Sequence, residues 1–288
     1  MSEPKPASSS PTEAPSQDEQ IGVVHNPWRD LRAFTAARIG LGRAGISLPT
    51  ARLLEFQLAH AQAKDAVHWP LDVDALSGRL TEALATDAPI QLHSQASDRT
   101  IYLQRPDLGR LLDDTSQERL EAQGRSEGSQ VDLALVIVDG LSARAIESHA
   151  VEFIEALHAE LDADEHDWQC APLTIVEQGR VAIGDEVGEA LNARAVLVLI
   201  GERPGLSSPD SLGLYLTWAP RRGVSDAERN CISNVRPEGL KINAAAGRAL
   251  YLLREARRLE LSGVKLKDRS EDDVIEHDDN GPGNFLTS

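Results

Sequence analysis

The sequence predicts an α/β fold: a Rossmann-like parallel sheet with flanking helices, preceded by a mostly helical N-terminal region. Three observations predict it. Short apolar runs at 131–138, 173–176 and 195–200 lack polar alternation, the pattern of strands covered on both faces. Stretches of helical periodicity separate these runs, so strand and helix alternate as in βαβ units. Only 4% of the 288 residues are aromatic, against 41% hydrophobic overall. The core is therefore Leu, Val, Ile and Ala, which suits helices on a sheet better than an aromatic-rich sandwich.

The elements follow in order. Residues 1–20 are rich in Pro and Ser and hold too little apolar surface to offset the entropy of ordering, so they are predicted to be a disordered tail. Residues 21–122 form the helical region. From Trp28 onward, Leu31, Phe34, Ile39 and Leu41 make an apolar stripe that predicts a first helix. Pro49 is placed to open a second helix over 50–67. Asp72 is placed to cap a third, with Leu76, Leu80 and Leu84 on one face. A Gly/Ser-rich stretch at 123–130 marks a boundary. The α/β domain spans 131–267. Its first strand, 131–138, ends at Asp139-Gly140, and a helix bearing Ile146, Val151, Ile154, Leu157 and Leu161 follows. Then come a strand at 173–176, a short helix at 186–191, a strand at 195–200, a further strand at 212–218 and an amphipathic helix over 244–261. Residues 268–288 read as an acidic, flexible tail.

The formal charge is -17. Residues 1–20 carry four acids and Lys5, and residues 268–288 carry seven acids and Arg269, so more than half of the charge lies in the tails. An anionic chain repels a phosphate backbone, which argues against nucleic acid as a partner. The two cysteines, Cys170 and Cys231, form neither a disulfide framework nor a cysteine zinc site. There is no apolar segment of signal-peptide type at the start and no run of the ~20 apolar residues that a membrane span needs. The expectation is a cytoplasmic, reduced protein without membrane contact.

Parallel α/β sheets bind ligands beyond the carboxyl ends of their strands. Three such ends share an unusual composition: Asp139-Gly-Leu-Ser142, Glu177-Gln-Gly-Arg-Val181, and the long segment from Gly201 to Gly213, with Glu202, Ser207, Ser208 and two prolines. Each alone reads as an ordinary βα turn. Together at one edge of one sheet they point to a cleft, with glycines letting a ligand approach the backbone. Gly40-Leu-Gly-Arg-Ala-Gly45 matches GxGxxG, but a helical pattern rather than a strand precedes it, so it is predicted to be a helix end and turn. No HExxH or GxSxG occurs, and His60 and His68 lie two helical turns apart, about 12 Å. A self-contained hydrolase or metalloenzyme is poorly supported, and no catalytic or metal-ligating residue is assigned to this chain.

The same loops carry a family resemblance. The blocks are Phe34-Thr-Ala-Ala-Arg-Ile-Gly-Leu-Gly-Arg-Ala-Gly45, Ser47-Leu-Pro-Thr50, Phe56-Gln-Leu-Ala-His-Ala61, Arg105-Pro-Asp-Leu-Gly-Arg110, Asp139-Gly-Leu-Ser142, Glu177-Gln-Gly-Arg-Val-Ala-Ile-Gly-Asp185, Gly201 through Tyr215, and Asp226-Ala-Glu-Arg-Asn-Cys-Ile-Ser-Asn234. Over residues 28–268 the chain resembles the light (small) subunit of ethanolamine ammonia-lyase. The resemblance implies an adenosylcobalamin-dependent ammonia-lyase (a carbon–nitrogen lyase) that converts ethanolamine to acetaldehyde and ammonia by a radical route. The cofactor carries the hard chemistry and the protein positions it. A large TIM-barrel subunit holds the substrate in a hetero-oligomer, and the enzyme is active only as that complex.

The resemblance makes 131–267 a cobalamin-binding domain and implies cofactor contacts at Val181, Glu202 and Cys231. Val181 and Glu202 follow strand ends, so one cleft can contain both. Nothing in the pattern places Cys231 beside them, and a buried core thiol is its plain alternative. The alternative for Glu202 is pairing with Arg203 or closing its own loop. Asp164-Glu-His166-Asp-Trp-Gln169 lacks the glycine of the histidine motif by which some cobalamin enzymes displace the cofactor's benzimidazole. The cofactor is thus expected to bind base-on. Some family members are directed into a bacterial microcompartment by an amphipathic N-terminal helix, and residues 3–20 carry no such stripe. The alternative reading of the whole chain is a stand-alone Rossmann-like nucleotide-binding enzyme, against which stands the lack of a glycine fingerprint after 131–138.

Overall fold

The computed structural model describes residues 23–24, 26–35, 37–127 and 130–270. The expectations for residues 1–20 and for most of the acidic C-terminal tail fall outside them. The chain divides into two units, Met1–Gln62 and Ala63–Ser288.

In the first unit, strands β1 (Val23–Val24) and β2 (Arg43–Ala44) pair antiparallel. Between them, Pro27–Ala33 forms a 3₁₀ helix whose first turn is capped by the Asn26 side chain, which accepts the Trp28 N–H at 3.0 Å. The apolar stripe from Trp28 to Leu41 is therefore not one α-helix. The Thr35 hydroxyl takes the Ala37 N–H at 3.1 Å, offering the backbone an alternative to helix. Gly40, Gly42 and Gly45 then adopt positive φ. At Gly40 a Cβ would lie 2.9 Å from the Trp28 carbonyl and the Arg29 nitrogen, so the chain folds back onto itself only because no side chain is present. The GxGxxG string holds β2 and opens the turn after it, and no helix leads into it. Helix α1 (Thr50–His68) follows Pro49 and crosses from the first unit into the second.

The second unit contains α2 (Val73–Leu84), β3 (Ile90–His93), α3 (Arg99–Gln104), α4 (Asp114–Glu127), β4 (Val131–Val138), α5 (Ala143–Asp162), β5 (Thr174–Glu177), α6 (Ile183–Ala190), β6 (Ala193–Gly201), β7 (Leu212–Trp218), β8 (Arg229–Val235) and α7 (Ile242–Leu259). Asp72 caps α2 by accepting the Ala75 N–H at 2.9 Å, and Ser142 caps α5 through Ala145. The six-stranded sheet has the order β3-β5-β4-β6-β7-β8. Strands β3, β5, β4 and β6 are parallel, whereas β7 and β8 run antiparallel to their neighbours. The sheet is thus mixed, which corrects the expectation of a parallel one. The ten residues between β6 and β7 contain no helix, and parallel strands require a crossover of a dozen residues or more.

Side-chain parity sorts the core into two layers. Leu133, Leu135 and Ile137 of β4, with Leu197 and Leu199 of β6, pack against α2, α5 and α7. Ala134, Val136 and Val138, with Val196, Val198 and Ile200, face α4 and α6. Both faces are covered, which explains the unbroken apolar runs. Phe153 of α5 is fully buried in the first layer. Truncating it to alanine would cost about 3–5 kcal/mol.

Candidate functional site

The carboxyl ends of β4, β5 and β6 come together, and their glycines serve chain packing. A Cβ at Gly140 would strike the Gly201 carbonyl, and one at Gly201 would strike Ser142. The Leu141 N–H donates to the Gly201 carbonyl at 2.9 Å. The β4 turn and the end of β6 therefore touch backbone to backbone, where a ligand was the sequence-based expectation. Most of the polar groups found in the long loop are also used within the protein. Ser142 Oγ donates to the Pro209 carbonyl at 2.8 Å, Arg236 donates to the Ser207 carbonyl at 2.9 Å, and His149 lies 3.5 Å from Asp210.

The loop leading to Val181 is held from beneath. Asp139 is almost completely buried and accepts the Gly179 N–H at 3.2 Å. Burial pushes its carboxyl up to about 6, against the pull of Arg99 at 3.5 Å and of backbone N–H groups. Tyr102, also fully buried, donates to the Gly179 carbonyl at 3.1 Å, with Arg180 on its ring at 4.1 Å and Arg99 at 4.7 Å. Val181 follows this braced turn, half-buried against the α6-side layer that also receives Tyr215.

Glu202 is the first residue after β6. Its N–H donates to the Ser211 carbonyl at 2.9 Å, and its Oε2 accepts the Ser211 hydroxyl at 2.5 Å and the Asn234 N–H at 3.2 Å. The last bond depends on a bulge: the β7–β8 register shifts between Leu212 and Leu214, and Asn234 takes φ 58°. Opposite lies Gly213, where a Cβ would stand 3.0 Å from Glu202 Cγ and 3.1 Å from Oε1. No described group donates to Oε1. The carboxylate thus closes its loop through Oε2 and keeps one oxygen over a side-chain-free cradle. Among its contacts, Arg203 has no part.

Cys231 is an exposed thiol on β8, not a core one. It pairs in register with Tyr215 of β7, and Tyr215 Cε2 stands 3.3 Å from the Gly213 Cβ position, beside Glu202. Desolvation raises the Cys231 thiol, the Tyr215 phenol opposes that shift, and the Glu202 charge adds to it. The Tyr215 phenol is itself pushed upward by desolvation, with Cys231 and Glu202 contributing. Glu202 and Cys231, 29 positions apart, therefore meet around Tyr215. Nothing in the sequence pattern marks Tyr215, which reads as one more apolar strand position.

A buried ion pair ties Val181's helix to this face. Asp185 of α6 and Arg229 of β8 are both 2% exposed and bond through two contacts of 2.6 and 2.8 Å. Arg229 also donates to Thr217 Oγ1, the Val224 carbonyl and Asp226. The opposite end of the sheet carries a separate groove of about 980 Å³, lined by Asp164, His166, Trp168 and four arginines. Its His166 sits 3.2 Å from Asp132, near the start of β4. Seven residues of strand separate Asp132 from Asp139, about 23 Å. Among the described residues no group of three His, Cys, Asp or Glu side chains is arranged to hold a metal ion.

The family model "Ethanolamine ammonia-lyase light chain (EutC)" matches residues 25–267. The chain is 56% identical over 263 residues to an ethanolamine ammonia-lyase small subunit of Pseudomonas aeruginosa (strain UCBPP-PA14), covering 91% of this chain and 95% of that one. It is 55% identical over 271 residues to that of Pseudomonas putida (strain W619), covering 93% and 98%. To that of Azotobacter vinelandii (strain DJ / ATCC BAA-1303) it is 56% identical over 264 residues, covering 92% and 96%.

Proposed function

The chain belongs to the ethanolamine ammonia-lyase light-chain family, and from that premise we propose that it holds one side of adenosylcobalamin through Val181, Glu202 and Cys231 while a large TIM-barrel subunit holds ethanolamine. It is the small subunit of a carbon–nitrogen lyase. Its four parallel strands are read as a Rossmann-like core, with the cofactor at the edge where β6, β7 and β8 meet. When bound, the cofactor supplies the radical chemistry.

The observation that carries the reading is the cradle. A carboxylate with one free oxygen, an exposed thiol and a half-buried valine lie on the α6-side face of one sheet. A carboxylate accepts and does not donate, so Glu202 suits the amide N–H and hydroxyl groups of a corrinoid. Val181 offers apolar contact, and Cys231 a weak donor. The chain's role is to bind and orient; no complete acid–base or nucleophile set stands in this face, so the reacting groups are assigned to the large subunit and the chain is active only in the complex. The reading includes base-on binding. His166, in the string nearest to a benzimidazole-displacing motif, faces Asp132 at the other end of the sheet. Among the described residues no helix is long and apolar enough to cross a membrane, and the reading is of a cytoplasmic enzyme, with microcompartment residence open to some family members.

The test is Glu202→Ala in the two-subunit enzyme. A hydrogen bond to a charged group contributes about 1.5–3 kcal/mol, and ~1.4 kcal/mol is tenfold in affinity. The cobalamin Kd should rise roughly ten- to a hundredfold, while KM for ethanolamine stays nearly constant. An unchanged cobalamin Kd in an assembled enzyme would make Glu202 a loop-closing residue only. For the base-on reading, EPR of the cob(II)alamin state with nitrogen-15 placed only in protein histidine should show unchanged splitting; altered splitting would mean a protein imidazole on cobalt.

A further inference from the structure

The turn that carries Val181 is held in a shape it would not take alone. Gln178 stands at φ 54°, in the left-handed region that a side chain disfavours, and an outlier of this kind points to a function. At Gly179 a Cβ would lie 2.6 Å from Val138 Cγ1, so the turn rests directly on the end of β4. Its carbonyls are taken from one side: the Ser94 hydroxyl donates to that of Gln178 at 2.7 Å, and Tyr102 to that of Gly179 at 3.1 Å. The Arg180 N–H donates to the Gly109 carbonyl at 2.7 Å. From beneath, Asp139 Oδ1 accepts the Gly179 N–H at 3.2 Å.

Asp139 is the acid in this brace, and the fold does not favour its charge. Burial pushes the carboxyl up to about 6, against Arg99 and the N–H groups of Gln178, Gly179 and Gly140. Arg99 is itself fixed: Nε donates to the Val67 carbonyl at 2.6 Å and Nη1 to the Gly140 carbonyl at 2.8 Å, and Nη1 stands 3.5 Å from Asp139 Oδ2. Arg180 lies on the same Tyr102 ring as Arg99. Among the described residues no other carboxylate pairs with either guanidinium. A neutral side chain would spare the desolvation, and a buried charge held against its own burial at the ligand end of a sheet marks a functional group. We propose that Asp139 is a positioning residue of the cofactor site: its carboxylate, held by Arg99, orients the turn from Gln178 to Arg180 so that Val181 meets the corrinoid. The proposal rests on the cofactor reading above and adds what sets the affinity at Val181. A protonated acid turns an O–H toward N–H donors, so the neutral form holds the turn less well. The cofactor therefore binds the ionised form more tightly, and its affinity falls as pH falls. Tyr102, whose phenol burial holds above its ordinary range, keeps its proton throughout, as do the two guanidiniums. His93 and Glu177, paired in register on β3 and β5, are the other titratable groups beside the turn.

The experiment titrates the two-subunit enzyme with adenosylcobalamin and follows binding by absorbance. The wild-type Kd should rise roughly fivefold from about pH 7.5 to about pH 5, the scale of a modest coupling between two sites. Asp139→Asn should bind weakly already at the higher pH and show no further rise, whereas His93→Gln should keep the rise. A variant that only loosened the fold would keep the wild-type slope. If Asp139→Asn fails to assemble, the wild-type chain decides without it: with nitrogen-15 in glycine, the Gly179 amide resonance should move with pH about a midpoint of about 6. A flat wild-type Kd, an Asp139→Asn profile that rises like wild type, a profile flattened by His93→Gln instead, or a Gly179 amide that does not titrate overturns the proposal. Val181→Asp separates this claim from the one beneath it. It should raise the cobalamin Kd at every pH, and an unchanged Kd in the assembled enzyme refutes the cofactor reading at this turn, whatever Asp139 does.

Discussion

Asp185→Ala removes one half of the buried ion pair between α6 and β8. Arg229, 2% exposed, then keeps its charge without its principal partner. Breaking a buried pair from one side costs about 3–5 kcal/mol, because the remaining charge is uncompensated. Here the lower end applies, since Arg229 retains Thr217, the Val224 carbonyl and Asp226, the last of these 87% exposed and screened by water. For a domain of 150–250 residues each kcal/mol moves Tm by roughly 2–4 °C, so a cost of about 3 kcal/mol lowers the midpoint by roughly 6–12 °C. Circular dichroism melts of the isolated chain measure this. Two companions sharpen the test. Asp107→Asn breaks the exposed Arg105–Asp107 pair, 58% and 59% exposed, and should leave the midpoint where it is. Asp185→Leu combined with Arg229→Met removes both charges and should recover most of the loss. A midpoint for Asp185→Ala within a degree or so of wild type would refute the strut. On the cofactor reading, Asp185→Ala should also weaken cobalamin binding at temperatures where the chain remains folded, because α6 carries the turn that bears Val181.

Two further outcomes follow from the site. Asp139 has a folded pKa of about 6, above its unfolded value of ~3.9, so the folded state binds this proton more tightly. Its contribution is full below about pH 4 and is lost as pH rises through about 6. The stability of wild type minus Asp139→Asn should therefore fall by roughly 2 kcal/mol between pH 4 and pH 7, at 1.36 kcal/mol per unit; urea titrations that run parallel across this range would contradict the assignment. Tyr215→Phe removes the group that opposes the upward shift of Cys231, so the pH profile of Cys231 alkylation, read on its own peptide by mass spectrometry, should move to higher pH. An unchanged profile would separate Tyr215 from the thiol.

Where two of the three candidate residues stand was legible because strand ends are legible. The apolar run that becomes β6 stops at Gly201, so Glu202 had to stand at the sheet's carboxyl edge. The same logic placed Val181 after β5. Cys231 was not legible. Arg229-Asn-Cys-Ile-Ser-Asn-Val235 has only two apolar anchors on one face, Ile232 and Val235, and the remaining positions are polar, with Arg229 reaching Asp185 of α6. Edge strands of this kind look like loops in sequence. β3, Ile90-Gln-Leu-His93, escaped because Ile90 and Leu92 alternate with polar residues, unlike the unbroken apolar runs, in a stretch too short for alternation to stand out. The N-terminal stripe misled for a different reason: Trp28, Leu31 and Phe34 are exposed rather than packed on a core, and three glycines and Thr35 break the backbone that would have made it helical.

What the sequence by itself determined is the two-sided core. Uninterrupted Val, Leu and Ile can only be buried on both faces, and the intervening helices, caps and termini follow from local rules of periodicity and hydrogen bonding. Tertiary structure alone decided strand direction and the company that residues keep. The turn from β6 back into β7 makes the sheet mixed, and the bulge at Asn234 delivers an N–H to Glu202. The Asp185–Arg229 pair joins positions 44 apart. None of these has a local signature, because each is a contact between segments whose separate sequences are satisfied in many other ways, and only the closed packing of the whole sheet selects one.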